Sequence, residues 1–106
     1  MNTQTTTPTA YQVKTIDIQA KEWFDKVNGN SYFAGSITLN FGQPNQEEIK
    51  MPFQYGYGDF YRHEALETLQ VLGYITVTHT ADLRDHGIIV RSNIQKGCKK
   101  RELMEY

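Results

Sequence analysis

The ten residues from Gln54 to His63 hold the side chains best suited to recognising a ligand. They contain four aromatic rings, two glycines, one acid and two groups that carry or can carry positive charge. Tyrosine offers a flat face for stacking and a hydroxyl for hydrogen bonding, and glycine lets a ligand approach the backbone closely. The segment therefore predicts a recognition loop for a peptide, a nucleobase or a nucleotide. The expected contacts in it are Tyr55, Tyr57, Asp59, Tyr61, Arg62 and His63.

The same segment also has an architectural interpretation. Tyr55 and Tyr57 can be core residues of an edge strand, because strands are rich in aromatic side chains. Gly56 and Gly58 then serve the bend that follows the strand. Their spacing matches neither a Walker loop nor a dinucleotide-binding loop, so it gives little support to a phosphate site.

A second polar and aromatic cluster follows Trp23-Phe24-Asp25 along the chain. Asn28, Asn30 and Tyr32 are its candidate contacts, provided that this turn lies near the Gln54–His63 segment. A tryptophan at a strand end beside a polar turn normally packs in the core with its N–H bonded. Core packing is therefore the simpler interpretation of Trp23.

The other reactive side chains match no catalytic or metal-binding pattern. The three histidines have no third ligand at a spacing suited to zinc, and no serine lies in a nucleophile elbow. Cys98 stands among lysines that favour a thiolate, but it is more simply a free surface thiol. We therefore expect no catalytic residues, no metal and no other cofactor, and the chain is not expected to be an enzyme.

Positive charge is concentrated late in the sequence. The whole chain has 11 basic and 12 acidic residues, yet residues 89–101 carry five basic side chains and no acid. These five are Arg91, Lys96, Lys99, Lys100 and Arg101. Such a run is either a solvated surface or an electrostatic contact for phosphate or for an acidic partner.

Length and composition bound the class of protein. A chain of 106 residues with 39% apolar and 22% charged side chains can bury the core of one domain and lacks the composition of a disordered protein. No apolar run is long enough to span a membrane, no secretory signal is visible, and one cysteine excludes a disulfide framework. The sequence predicts a Thr-rich, disordered leader over 1–10 and a single domain over 11–106, located in the cytoplasm without membrane contact.

Alternating apolar positions predict three strands in the first half of the domain. The Asn28–Asn30 turn tolerates positive φ and predicts a hairpin between Ile16–Phe24 and Ser31–Phe41. A third strand, Ile49–Tyr57, keeps its apolar residues in one phase. Its Pro52 cannot donate to a ladder, which predicts a position at the edge of the sheet.

The second half predicts helices and a closing strand. Asp59 is a good N-cap for a helix over Phe60–Leu72, where apolar residues recur at helical spacing. Tyr74–Thr78 is β-branched and predicts a short strand, and Ala81–His86 predicts one or two helical turns. Ile88–Gln95 predicts a closing strand.

These elements predict an α+β fold. It is an antiparallel sheet of about four strands in β-β-β-α-β order, with one main helix packed on one face and the other face wet. The side chains expected between sheet and helix are Phe33, Ile37, Leu39, Met51, Phe53, Leu66, Leu69 and Leu72.

Two motifs resemble those of a group of small phage and prophage-type proteins. The first is Trp23-Phe24-Asp25 followed by Asn28-Gly29-Asn30-Ser31-Tyr32, and the second runs from Pro52 to Asp59 as PFQYGYGD. The resemblance covers about residues 16–75, and the group has no assigned activity. It implies an accessory protein of a mobile element, acting in the cytoplasm of the host cell.

Small non-catalytic phage proteins commonly act by binding, so we expect a binding protein. The leading hypothesis is an anti-defence inhibitor, of the anti-CRISPR or ligand-sequestering kind, whose partner is a host protein or a small nucleotide ligand. The alternative is a nucleic-acid-binding or nucleotide-binding accessory protein that uses the Tyr-Gly loop and the basic segment. An edge strand also permits pairing in a homodimer.

Overall fold

The computed structural model describes residues 13–105, which form one mixed sheet with three helices. The predicted leader over 1–10 lies outside these residues. In chain order the elements are β1 (Thr15–Asp25), β2 (Asn30–Leu39), β3 (Glu47–Tyr55), α1 (Phe60–Val71), α2 (Thr80–Asp85), β4 (Ile89–Gln95) and α3 (Lys100–Met104). The strands lie in the spatial order β3-β2-β1-β4. The predicted α+β class, with about four strands and one main helix, is confirmed.

The hairpin of β1 and β2 forms where the turn residues predict it. The strands are antiparallel, with Trp23 opposite Tyr32 and Ile18 opposite Ile37. Gly29 adopts a φ of 73°, a conformation that costs glycine little. Since side chains alternate between the faces of a sheet, this register places Ile18 and Ile37 together on one face and Trp23 and Tyr32 on the other.

The fourth strand differs in direction from the prediction. β4 pairs with β1 in parallel, with Val90 beside Ile16 and Ile94 beside Ala20, so the sheet is mixed rather than antiparallel throughout. Parallel strands need a long crossover, and here α1 and α2 supply it between β3 and β4. Alternation of apolar residues reports which face a side chain occupies, but it carries no information on strand direction.

A β-bulge in β3 changes which face its side chains occupy. Phe33 lies opposite Gln54, but Gly35 lies opposite Met51, so β3 has one more residue than β2 over this stretch. The extra residue falls at Pro52 and Phe53, where bulges commonly accommodate a proline. The predicted edge position of the strand is confirmed. The predicted single apolar phase from Ile49 to Tyr57 is wrong, because the bulge reverses it.

The main core lies between the sheet and α1. Six of the eight predicted core side chains are buried in it; they are Phe33, Ile37, Leu39, Met51, Leu66 and Leu69. Leu72 is 51% exposed because it is the C-cap residue, beyond the last packed turn of α1. Phe53 belongs to a different cluster because of the bulge. The prediction for these two residues is wrong.

A second, smaller cluster lies on the opposite face of the sheet. Its buried residues are Ala34, Cys98 and Leu103, and Trp23, Tyr32 and Phe53 pack against them. The short helix α3 brings Leu103 onto this face, which the sequence prediction left open to water. Cys98 is 6% exposed, and its thiol donates to the Gln95 carbonyl at 3.4 Å. Cys98 is thus a free thiol, as expected, but the expectation that it lies at the surface is wrong.

The segment after α1 contains no strand. Tyr74–Thr78 follows an irregular path, although Ile75 is buried in the main core. The Tyr74 hydroxyl donates to a Glu47 carboxylate oxygen at 2.7 Å, and this bond raises the pKa of Tyr74 above its usual value. The side chains of Tyr74 and Ile75 thus hold this segment in place without strand pairing. α2 confirms the helical turns predicted over Ala81–His86.

Truncation of Leu69 tests the assignment of the core. Leu69 is fully buried, so Leu69→Ala should destabilise the protein by about 2–5 kcal/mol. The matched change Leu72→Ala removes the same atoms from an exposed site and should cost less than about 1 kcal/mol. Urea unfolding of both variants gives the two values. Equal losses would show that the face of α1 is assigned wrongly.

Candidate functional site

An open cleft lies at the junction of β3 and α1, and we call it the aromatic cleft. Its volume is about 500 Å³, and its lining residues are Tyr55, Gly56, Tyr57, Asp59, Phe60 and His63. Tyr55, Tyr57 and Phe60 are 57%, 69% and 41% exposed. Three large rings around one depression are therefore partly exposed to solvent. A volume of this size suits a side chain or a small ligand.

Close packing at Gly56 determines the shape of the aromatic cleft. A Cβ atom added at Gly56 would lie 2.6 Å from the Phe60 ring and 2.7 Å from the Phe33 ring. Glycine is thus required because two rings approach its backbone, while its N–H extends the sheet by donating to the Ser31 carbonyl at 3.0 Å. The Phe60 ring meets the Phe33 ring edge-on, with 6.1 Å between their centroids. The floor of the cleft is therefore continuous with the main core.

The structure separates the residues predicted for this segment into two groups. Tyr55, Tyr57, Asp59 and His63 come together at the cleft. Tyr61 is only 4% exposed and belongs to the main core, so it does not offer its ring to a partner. Arg62 is half-buried, and its Nε atom has no hydrogen-bond partner among residues 13–105.

Asp59 occupies the N-cap position of α1 without acting as a side-chain cap. Its carboxylate makes no capping hydrogen bond, and the Asp59 carbonyl accepts the Arg62 N–H at 3.0 Å instead. The helix begins where the sequence predicts, but the predicted role of the carboxylate is wrong. The carboxylate is therefore a free negative group on the wall of the aromatic cleft.

His63 completes the far side of the aromatic cleft. Its Nε2 atom lies 3.1 Å from Glu67 Oε2 on the next turn of the helix, and its ring centroid is 5.9 Å from that of Phe60. Both side chains of the pair are more than half exposed. An exposed pair of this kind contributes little to stability, so it serves mainly to hold the imidazole against the cleft.

The β1–β2 turn is held by its own side chains. Asp25 Oδ2 accepts the Asn28 side-chain amide at 2.8 Å, and Asp25 Oδ1 accepts the backbone N–H groups of Val27 and Asn28 at 3.0 and 3.3 Å. Asn30 pairs with Asp25 across the hairpin. Asn28 therefore holds the turn that the sequence predicts, and Asn30 begins β2 opposite Asp25.

Tyr32 connects the turn region to the aromatic cleft. Its ring stacks between those of Trp23 and Phe53, with centroid distances of 5.5 Å and 5.1 Å. It meets the Tyr55 ring edge-on, with 5.9 Å between centroids. These four rings form a row across three strands, from β1 to β3. The predicted proximity of the two segments is thus realised through ring contacts rather than through a shared polar surface.

The five predicted electrostatic residues do not act as one group. Arg91 pairs with Asp17 through two contacts of 2.7 and 3.0 Å, whereas Lys96 and Arg101 are exposed. Lys99 and Lys100 line another cleft, with the Lys100 ammonium 5.6 Å from the Trp23 ring centroid. None of the five lines the aromatic cleft.

The sequence prediction chose the wrong aromatic residue of α1 for the site. It names Tyr61, which is buried, and omits Phe60, which lines the aromatic cleft. The helical period contains the relevant signal. Tyr61 precedes Ala65 by four residues and Leu69 by eight, which places it on the buried stripe, while Phe60 falls beside that stripe.

The described residues also bear on other classes of site. Within 13–105, no three His, Cys, Asp or Glu side chains come together as metal ligands do. None of the helices in this range is long and apolar enough to cross a membrane. No family model matches the chain, and neither a curated protein nor a solved structure is similar to it.

Removal of the Asp59 carboxylate tests its structural role. Because Asp59 makes no capping bond, Asp59→Ala should change the free energy of unfolding by less than about 0.5 kcal/mol. A working N-cap would cost about 1 kcal/mol. Thermal and urea unfolding of the variant distinguish the two values, and a loss near the larger one would restore the carboxylate as a cap.

The Asp25 carboxyl should titrate below its usual range. Its pKa is lowered chiefly by the hydrogen bond from the Asn28 side chain, so its contribution to stability is present above the unfolded pKa and is lost as pH falls through the folded one. Asn28→Ala should therefore raise the pKa of Asp25, as measured by NMR of its carboxyl carbon. Asn93→Ala, on β4, is the control and should leave it unchanged. An identical titration in wild type and Asn28→Ala would contradict the assignment.

Proposed function

We propose that this chain is a small, non-catalytic binding protein that captures a protein partner in the aromatic cleft. The observation that carries the proposal is the grouping of Tyr55, Tyr57 and Phe60, three partly exposed rings around one open depression of about 500 Å³. Tyrosine is among the residues that most often anchor protein interfaces. Exposed aromatic clusters on small proteins commonly mark such surfaces.

The charges around the aromatic cleft favour a protein partner over a nucleotide. Asp59 places a free carboxylate on its wall, and His63 is paired with Glu67. Among residues 13–105, no lysine or arginine lines the cleft, so a phosphate there would meet the negative charge of Asp59 without compensation. An apolar side chain of a protein, alone or beside a basic residue, fits both the rings and the carboxylate.

The shape of the cleft also favours a preformed site. Gly56 and Phe60 are fixed against the main core through Phe33, so one ring of the cleft needs little ordering when a partner binds. Preorganisation of this kind lowers the entropic cost of association. A rigid anchor ring beside two more exposed tyrosines is an arrangement suited to protein capture.

The biological setting of the proposal comes from the sequence motifs. The resemblance of the Trp23–Tyr32 and Pro52–Asp59 segments to small phage and prophage-type proteins suggests a mobile-element product. We propose that its partner is a host protein and that occupation of the aromatic cleft inhibits that protein, as an anti-defence inhibitor does. The alternative, a nucleotide bound by the Tyr-Gly loop together with the basic segment, is disfavoured because those basic residues lie away from this cleft.

Single truncations at the aromatic cleft test this function. Tagged wild-type protein is used to isolate its partner from host cells that carry the mobile element, and the affinity is then measured with the purified partner. Tyr57→Ala and Tyr55→Ala should each weaken binding, with a hot-spot residue costing about 2 kcal/mol or more, which is roughly thirtyfold in affinity. Unchanged unfolding curves must accompany the loss.

A matched control is available at the other end of the sheet. Phe41 is 65% exposed and follows β2 at the end away from the aromatic cleft, so Phe41→Ala removes an exposed ring without touching the site. It should bind as the wild type does. Full affinity in both folded tyrosine variants, or an equal loss in Phe41→Ala, would remove the aromatic cleft as the binding site.

A further inference from the structure

A second cleft lies at the end of β1, where the turn after β1 meets the loop before α3. Its volume is about 480 Å³, and we call it the basic cleft. Its lining residues are Trp23, Phe24, Asp25, Lys26, Val27, Gly97, Cys98, Lys99 and Lys100. Two segments that are about 70 residues apart in sequence thus build one site, which no local pattern in the sequence predicts.

Positive charge dominates the basic cleft. Lys26, Lys99 and Lys100 all line it, and within residues 13–105 none of their ammonium groups forms an ion pair. Among residues 13–105, the one acid in the lining is Asp25, whose ionised carboxylate accepts three hydrogen bonds from the turn and attracts Lys100. Three lysines against one carboxylate leave the lining with a net positive charge.

The rest of the lining is flat and apolar. Phe24 is 50% exposed, and its ring contacts no other aromatic ring in the described part of the chain. Trp23 stacks on Tyr32 with one face, and Lys100 lies over its ring at 5.6 Å. Phe24 and Trp23 thus add apolar surface to a cleft that three lysines also line.

We propose that the basic cleft binds a nucleoside phosphate, with its base against Phe24 and its phosphate among Lys26, Lys99 and Lys100. Three lysines that line one cleft match the compact, doubly charged phosphate better than they match the single, dispersed charges of an acidic peptide. Aromatic side chains stack on bases of any sequence. A volume of about 480 Å³ lies in the range of small-molecule sites.

This site goes beyond the proposed function and uses none of the residues of the aromatic cleft. The two clefts lie at the same end of the sheet, because β3 ends there, β2 begins there, and β1 and β4 both end there. The same ring-and-phosphate chemistry is offered by a free nucleotide and by single-stranded nucleic acid. The experiment therefore includes both sources.

The test is a titration of the wild-type chain with AMP, inorganic phosphate and a dT8 oligonucleotide, followed by calorimetry and by amide NMR shifts. At low salt AMP or dT8 should bind with shifts concentrated at 23–27 and 97–100, and inorganic phosphate should bind more weakly because it has no base. Stronger binding of AMP identifies a free nucleotide as the ligand, and stronger binding of dT8 identifies a single strand. Binding should weaken as salt is raised.

Variants assign the binding to the basic cleft. Lys26→Gln with Lys99→Gln removes two of the three cations, and Phe24→Ala removes the stacking ring; each change should weaken binding by about tenfold or more. Lys50→Gln and Phe41→Ala are the matched controls, since both residues are exposed and lie outside the cleft, and both should bind normally. The proposal is overturned if neither AMP nor dT8 binds at millimolar concentration. It is equally overturned if the double lysine variant binds as the wild type does.

Partner capture at the aromatic cleft provides an independent readout. The lysine and Phe24 variants should retain the affinity for the protein partner that Tyr57→Ala loses. Loss of partner binding in the tyrosine variants bears only on the aromatic cleft, and loss of nucleotide binding in the lysine and Phe24 variants bears only on the basic cleft. Failure of one proposal is thereby separated from failure of the other.

Discussion

The β-bulge at Pro52 and Phe53 is the constraint on which the arrangement of both faces depends. Before the bulge, Met51 lies in the main core under α1; after it, Phe53 packs in the cluster on the opposite face. Without the extra residue, strand alternation would put Phe53 on the same face as Met51. The Tyr32 ring would then lose its stacking contact with Phe53. One residue inserted in an edge strand thus places Phe53 among the rings that Tyr32 connects to the aromatic cleft.

The sheet has apolar side chains packed on both faces at one end. At the end where β3 meets α1, Trp23, Tyr32 and Phe53 need cover, and α3 supplies it with Leu103. Further along the same face the side chains are polar, as in the pair of Asp17 and Arg91. Leu103, which follows the basic run of residues 89–101, therefore holds this part of the chain against the sheet. Its lysines are positioned as a consequence of that packing.

The features that could be predicted from the sequence are those that depend on neighbouring residues. The hairpin follows from the Asn28–Asn30 turn, and α1 follows from the spacing of Ala65, Leu66 and Leu69. The edge position of β3 follows from Pro52, because a missing N–H is a local property. In the aromatic cleft, Tyr55 and Tyr57 could be predicted because the composition of the Gln54–His63 segment is itself a local property.

The features that could not be predicted depend on pairing between distant segments. The direction of β4 is decided by the crossover through α1 and α2, which leaves no trace in the alternation of Val90 and Ile94. The five-residue helix α3 has one buried residue, Leu103, amid charged neighbours, so its periodicity is too short to detect. The basic cleft needs both Lys26 and Lys99, which only the folded chain places together.

The central position of β1 has a consequence for how the chain folds as it is synthesised. One edge of β1 pairs with β2 across a short turn, but its other edge stays unpaired until residues 89–95 are made. Contacts between segments so far apart form late, because closing the intervening loop costs entropy. Until β4 arrives, Ile16 and Ile18 belong to a strand with an open hydrogen-bonding edge, and such edges recruit other chains. The stretch of synthesis between the hairpin and β4 is therefore the period in which this open edge exposes the chain most to aggregation.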